Sequence, residues 1–151
     1  MNEIERKILE SNDPRLNYEY AKSFQGNIME HSKVVTLSKD LELNYLFARD
    51  IAGADIYFNA LIILSSNDPY YNYIFARDVK GAEIKDHAQI VIDSKDPKIN
   101  FLFMRDIVGA NLKDHYNVIY RTGNKFYLKE AQEFIAIKRE INASVAQKKH
   151  H

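Results

Sequence analysis

Three sets of side chains recur in this sequence at fixed spacing, and each could do chemistry. His31, His87 and His115 share one position of a repeating segment, with Asn59 standing there in the remaining copy. A row of imidazoles suggests metal binding. Arg49, Arg77 and Arg105 form a second row, which could follow the phosphates of a nucleic acid at regular intervals. Asn44, Asn72 and Asn100 form a third, whose amides could read the backbone of an extended peptide.

Each row also has a plainer reading. Every Arg is followed by an acid, Asp50, Asp78 or Asp106, which cancels the charge that a phosphate would need. The pair is better suited to joining neighbouring repeats, Arg49 with Asp78 or Asp50 with Arg77, with the guanidinium stacked on Tyr45 or Tyr73. The histidines fall among Ile84, Ala88, Val91 and their equivalents, on an apolar stripe. Stacked helices lie roughly 8–10 Å apart, too far for adjacent imidazoles to share a metal routinely. Asn59 shows that a neutral amide serves at the same place, so the histidines read as structural. The Asn row falls at the edge of an apolar face, and buried amides at constant register satisfy the backbone of an adjoining turn.

The elements that carry these rows follow from the repeat. "NYLFARDIAGADI" at Asn44–Ile56 returns as "NYIFARDVKGAEI" at Asn72–Ile84 and as "NFLFMRDIVGANL" at Asn100–Leu112. Anchored on Asp13, Asp40, Asp68 and Asp96, the period is 27, 28 and 28 residues. In the first copy, Ala21, Lys22 and Ser23 replace Ala-Arg-Asp, and one residue is missing after Gly26. Asp13-Pro14, Asp68-Pro69 and Asp96-Pro97 read as an N-cap followed by an N1 proline, which starts a helix A. Gly26, Gly53, Gly81 and Gly109 read as the C′ residue that stops it. Asp55, Glu83 and Asn111 then open a helix B that runs to Ser38, Ser66 or Ser94. On helix A, Asn44, Phe47, Ala48 and Ile51 lie at the i, i+3, i+4, i+7 spacing of a core stripe, as do Asn72, Phe75, Ala76 and Val79. The Arg residues then point away from the core, with the Asp on one flank and Tyr45 or Tyr73 on the other.

Such a helix pair buries its apolar face only by stacking on neighbours. The expected fold is all-α: an α-solenoid, right-handed by default, of about four two-helix repeats of ~28 residues. Its parts are a cap at 2–11, repeats at 12–38, 39–66, 67–94 and 95–122, and a closing helix at 124–146. His150 and His151 read as the remnant of an affinity tag. From Ser11 to Tyr120, the units resemble helical-hairpin repeats with an "ARDVKGA" core that recur in uncharacterised bacterial and phage proteins. Their architecture, though not their motif, is similar to that of HEAT and tetratricopeptide repeats. The resemblance implies a helical-repeat fold and a binding role, and it assigns no site residues.

Composition narrows the function classes. Over 151 residues, 21 Lys and Arg balance 21 Asp and Glu, so no global field draws the chain to nucleic acid or to an anionic membrane. Residues 125–151 are mildly basic, with six basic and three acidic side chains. The absence of cysteine excludes thiolate metal sites and fits a reducing, cytoplasmic setting. No Gly-rich phosphate loop, Ser-His-Asp spacing or metal-ligand cluster stands out, and no cofactor is implied. The expectation is a non-catalytic protein-binding module, an adaptor or an inhibitor, which a phage origin would specialise to anti-defence. The alternative is nucleic-acid binding along Arg49, Arg77, Arg105 and the basic C-terminal end. Residues that depart from the repeat write a solenoid's specificity, so Tyr57, Phe58, Tyr70, Tyr71, Tyr116 and Tyr120 are the candidate partner-binding aromatics.

Overall fold

A computed structural model describes residues 1–149; His150 and His151, read as a tag remnant, lie outside the described residues. Ten helices and no strand occur among them: α1 (Glu3–Ser11), α2 (Pro14–Phe24), α3 (Ile28–Ser38), α4 (Leu41–Asp50), α5 (Tyr57–Ser65), α6 (Pro69–Asp78), α7 (Ile84–Ser94), α8 (Pro97–Asp106), α9 (Leu112–Thr122) and α10 (Lys125–Lys149). The even-numbered helices are the A helices and the odd-numbered ones the B helices. Each A helix packs on the B helix that follows it, and A stacks on A and B on B along the array. The fold is therefore an all-α helical repeat. No described helix is long and apolar enough to cross a membrane.

The turn from B to A is built the same way each time. Ser38 Oγ donates to the Val35 carbonyl at 2.6 Å and accepts the Asp40 N–H at 3.2 Å, while the Asp40 side chain accepts the Leu43 N–H at 2.8 Å. Ser11, Ser66 and Ser94 repeat the arrangement with Asp13, Asp68 and Asp96. Serine thus satisfies one end of helix B and delivers the chain to the cap of helix A. Thr122 and Asn124 make the same bonds before α10. The closing helix therefore begins as a fifth A helix, and it continues beyond the expected end at 146.

The glycines differ from expectation. Helix A ends at Asp50, Asp78 or Asp106, and the next residue caps it in an extended conformation. Gly53, Gly81 and Gly109 sit two residues further on, at φ +79, +86 and +87. There they hold the third position of a β-turn closed by Ala54 N–H on the Ile51 carbonyl at 3.2 Å, and likewise at Ala82 and Ala110. The type II turn requires positive φ at that place, so glycine is selected by the turn and not by a helix C′. The starts of helix B vary too: Asn27 and Asn111 cap with their side chains, whereas Glu83 makes no side-chain cap bond and α5 has Ile56 as its N-cap, with Asp55 accepting the Tyr57 N–H at 3.0 Å.

The core runs the length of the array between the two rows. Phe47, Phe75 and Phe103 from the A helices meet Val35, Ile63, Val91 and Ile119 from the B helices, all fully buried. Tyr45 and Tyr73 are buried as well, between neighbouring A helices and not on an open flank.

Candidate interaction surface

The Asn row is wholly buried. Asn44 Nδ2 donates to its own cap carbonyl, Asp40, at 2.7 Å and to Val35 of the preceding B helix at 3.1 Å. Asn72 and Asn100 do the same with Ile63 and Asp68, and with Val91 and Asp96. With both amide protons used, each Oδ1 is left as an acceptor that faces helix B. His87 Nδ1 donates to Asn72 at 2.8 Å and His115 Nδ1 to Asn100 at 2.9 Å, while Asn59 Nδ2 donates to Asn44 at 3.0 Å. No peptide reaches these amides, because the fold consumes them.

His87 and His115 lie against Phe75 and Phe103, with ring centroids 4.8 and 4.7 Å apart. Among the described residues, their Nε2 atoms and Asn59 Oδ1 have no hydrogen-bond partner. Burial pushes both imidazoles down to about 4, outweighing the opposite pull of Asp86 and Asp114, so both are neutral near pH 7. No group of three or more His, Asp or Glu able to hold a metal occurs among the described residues.

The first unit departs from this pattern in a way the residue spacing did not signal. Glu5 of α1 is buried and accepts from His31 Nε2 at 3.0 Å and from the Asn27 N–H at 2.9 Å. His31 Nδ1 donates to Asn17 Oδ1 at 2.7 Å. Both ring nitrogens thus face side-chain oxygens, and the ring bridges α2 to α1. The bond from His31 is the main reason that the Glu5 carboxyl is held below its ordinary range. In the repeat register, Glu5 stands where later units carry Ser32, Ala60, Ala88 and Tyr116. That one acid in a column otherwise free of charge was the available signal.

The seam between A helices is made by Tyr and Asp, not by the Arg–Asp cross-links expected from the sequence. Tyr18, Tyr45 and Tyr73 donate their hydroxyls to Asp50, Asp78 and Asp106 of the next A helix. Each Arg folds back on the acid beside it in its own helix, with Arg49 Nε 2.6 Å and Nη2 3.0 Å from Asp50 and the same fork at Arg77 and Arg105. Arg49 and Arg77 also stack on Tyr45 and Tyr73, 5.2 and 5.1 Å from the ring centres, as expected. The adjacent Arg, then the Tyr hydroxyl, hold Asp50, Asp78 and Asp106 below the usual carboxylate range, against the pull of burial. Burial and the Asp50 contact push Tyr18 up to about 12. The three guanidiniums are therefore half-exposed but already paired, and they form no free cationic ridge. The ladder ends at Asp106: Phe101, in register with Tyr45 and Tyr73, packs in the same cluster as Phe134 of α10.

The six candidate aromatics form three separate pairs. Tyr57 and Phe58 meet edge-on at 5.3 Å at the start of α5, and Tyr70 and Tyr71 edge-on at 5.6 Å at the start of α6. Consecutive helices run in opposite directions, so these two pairs lie at opposite edges of the array, about 13 Å apart along the nine residues of α5. Tyr116 and Tyr120 stack at 6.4 Å on α9. Tyr57, Phe58, Tyr70 and Tyr120 are exposed, while Tyr71 and Tyr116 are half-buried.

Two further apolar residues join the Tyr57–Phe58 edge. Met29 is in register with Tyr57 one unit earlier and is 68% exposed; Phe24, at the end of α2, is 71% exposed. The equivalents of Phe24 in later units, Ile51, Val79 and Ile107, are buried. Phe24 is thrown outward by the residue after it: Gln25 has φ +63 and ψ −66, and the Gly26 N–H reaches the Phe24 carbonyl at 2.8 Å, a classic-type γ-turn. The residue missing after Gly26 was the sequence signal for this altered turn. In register with Met29 and Tyr57, the third and fourth units carry Lys85 and Lys113. Comparison with protein-family models, curated proteins and solved structures finds no match for this chain.

Proposed function

We propose that this chain is a non-catalytic protein-binding module, an adaptor or an inhibitor, that docks a partner on the A-to-B edge of its first two units. The observation that carries this reading is the row Phe24, Met29, Tyr57 and Phe58, all more than half exposed on one edge, with Lys85 and Lys113 standing in later units at the position of Met29 and Tyr57. Large apolar side chains held at the ends of packed helices lose little freedom on binding, and aromatic anchors of this kind dominate interface energetics. The scaffold supports the reading because its conspicuous polar residues are spent internally: the amides on backbone carbonyls, the arginines on their own aspartates. As an inhibitor the module would act by occlusion, and an anti-defence role in a phage is that mode's specialisation. The cysteine-free composition fits a cytoplasmic setting.

The test compares partner capture from the native host by the native chain, by Tyr57→Ala with Phe58→Ala, and by Arg49→Ala with Arg77→Ala, each checked for retained helix content. The expected result is a protein partner lost with the aromatic pair and kept with the arginine pair. Salt-sensitive binding of duplex or RNA that the arginine pair abolishes in a folded chain would overturn the reading in favour of nucleic acid.

A further inference from the structure

One interface inside the array combines an acidic rim, an apolar wall and a buried lone pair. We propose that the cavity between α5 and α7 receives the cationic side chain of a lysine or arginine from the partner that docks on the A-to-B edge. This rests on the docking reading, because Tyr57 of that edge also lines the cavity.

The first unit shows where the ring of a B-helix histidine points. His31 turns Nδ1 to Asn17 of α2 and Nε2 to Glu5 of α1, the B helix before it. In α7, His87 makes the same Nδ1 bond, to Asn72, so its Nε2 faces α5 at the position of Ala60, in register with Glu5. Alanine there has no carboxylate to offer. Ala60 and His87 both line a cavity of about 260 Å³. Asn72 uses both amide protons on the Ile63 and Asp68 carbonyls, which leaves its Oδ1 to accept and fixes the His87 proton on Nδ1. His87 Nε2 is therefore a lone-pair acceptor, completely buried and without a hydrogen-bond partner among the described residues. It calls for a donor.

The rest of the cavity is chemically one-sided. Asp55, Glu83 and Asp86 line it from exposed positions, and no ion pair among the described residues engages them. Leu61, Leu64 and Ala82 supply an apolar wall, suited to the methylene stem of a long cation. No lysine or arginine lines it. The neighbouring interfaces differ at these positions. In register between α3 and α5, Lys33 stands for Leu61 and Asn27 for Asp55. Between α7 and α9, Lys85 stands for Tyr57 and Asn111 for Glu83. Each of those interfaces has a lysine of its own and fewer acids; the α5–α7 cavity has three carboxylates and no lysine. An ammonium or guanidinium carries several donors, so one group can serve both the buried nitrogen and the rim.

Nitrogen NMR of the imidazoles in the full chain tests this without the partner, at pH 7, where burial keeps His87 neutral. The probes are the N-acetyl methylamides of lysine and arginine, with the lysine probe acetylated on its ammonium as the neutral control. The two cations are expected to shift the His87 Nε2 signal and leave that of His115 in place, and the control to shift neither. Glu83→Gln with Asp86→Asn, both at exposed positions, is expected to weaken the cations about tenfold while helix content is unchanged. His87→Asn, the side chain that α5 already carries at this place, is expected to weaken them as well, read from the Leu61 and Leu64 methyl signals. Cations that leave His87 Nε2 unmoved overturn the proposal, as does a control that shifts it equally. Partner capture separates the two readings. A partner lost with Tyr57→Ala and Phe58→Ala but kept with the acid pair leaves the docking edge standing and overturns this inference. A chain that captures no protein yet responds to the cationic probes overturns the docking reading and still supports the cavity as a cation site.

Discussion

His87 and His115 are buried with one nitrogen bonded to an asparagine and the other facing no partner. Burial holds both near 4, against about 6.5 in an unfolded chain. As pH falls, the unfolded chain takes up these protons first, so the stability tied to each histidine is complete above about 6.5 and is lost between about 6.5 and 4. At ~1.4 kcal/mol per pH unit, the loss approaches roughly 3 kcal/mol for each ring. His87→Asn with His115→Asn, the arrangement that Asn59 already uses, is expected to flatten urea-unfolding stability across that window. The carboxylates Asp50, Asp78 and Asp106, whose pKa values are lowered, act in a separate window that begins below about 4, so acid unfolding at still lower pH is expected to remain. The structural role of the histidines was legible because their register placed them on an apolar stripe and Asn59 substituted for one. Glu5 was not, because its partner His31 lies 26 residues away and the one trace in the sequence is an acid at a single register position.

At the scale of the element, the B-to-A turn holds its last B residue in the left-handed region. Glycine fills this place before α10, at Gly123, but Lys39 and Lys95 sit there at φ +58. A side chain with a Cβ costs ~1–2 kcal/mol in that conformation. Lys39→Gly and Lys95→Gly are each expected to raise stability, by up to ~1 kcal/mol once the added freedom of the unfolded chain is subtracted, read as a shift in melting temperature. The glycines of the other turn separate in the same measurement. A Cβ at Gly26 would lie 1.7 Å from the Glu5 carboxylate, so Gly26→Ala disrupts the buried Glu5–His31 pair and is expected to cost more than about 3 kcal/mol. Gly109→Ala meets open space and is expected to cost only the backbone term, ~1–2 kcal/mol. Helix starts were readable from Asp-Pro and from the Ser two residues before each Asp, since caps are local chemistry. Gly53, Gly81 and Gly109 fall one residue beyond C′ for an equally physical reason: a C′ glycine and a type II turn glycine both demand positive φ, and sequence does not say which turn follows.

Across the whole molecule, cohesion between units depends on which side chain crosses the gap. The Arg–Asp motif suggested the guanidinium, yet the tyrosine hydroxyl crosses while the arginine stays in its own helix. Tyr45→Phe and Tyr73→Phe are each expected to lower stability by ~1–2 kcal/mol, and Arg49→Ala or Arg77→Ala by less than ~1, compared by urea titration. The helical-repeat fold was legible because a 28-residue period leaves few alternatives; the seam was not, because three neighbouring polar residues can pair in several ways and only backbone geometry selects one. That seam also acts as a ruler. Every tyrosine along the A row expects an aspartate in the unit after it, and Phe101 cancels the expectation. A second copy of residues 68–95 spliced in after Lys95 supplies both halves of the code, so the longer chain is expected to fold with a higher urea midpoint than the parent. A duplicate of 96–123 spliced in after Gly123 would set Phe101 against an aspartate that keeps its own arginine but loses the tyrosine hydroxyl, and the lengthened protein is expected to gain less. The pairing alphabet thus favours growth in the middle of the array over growth at its C-terminal end.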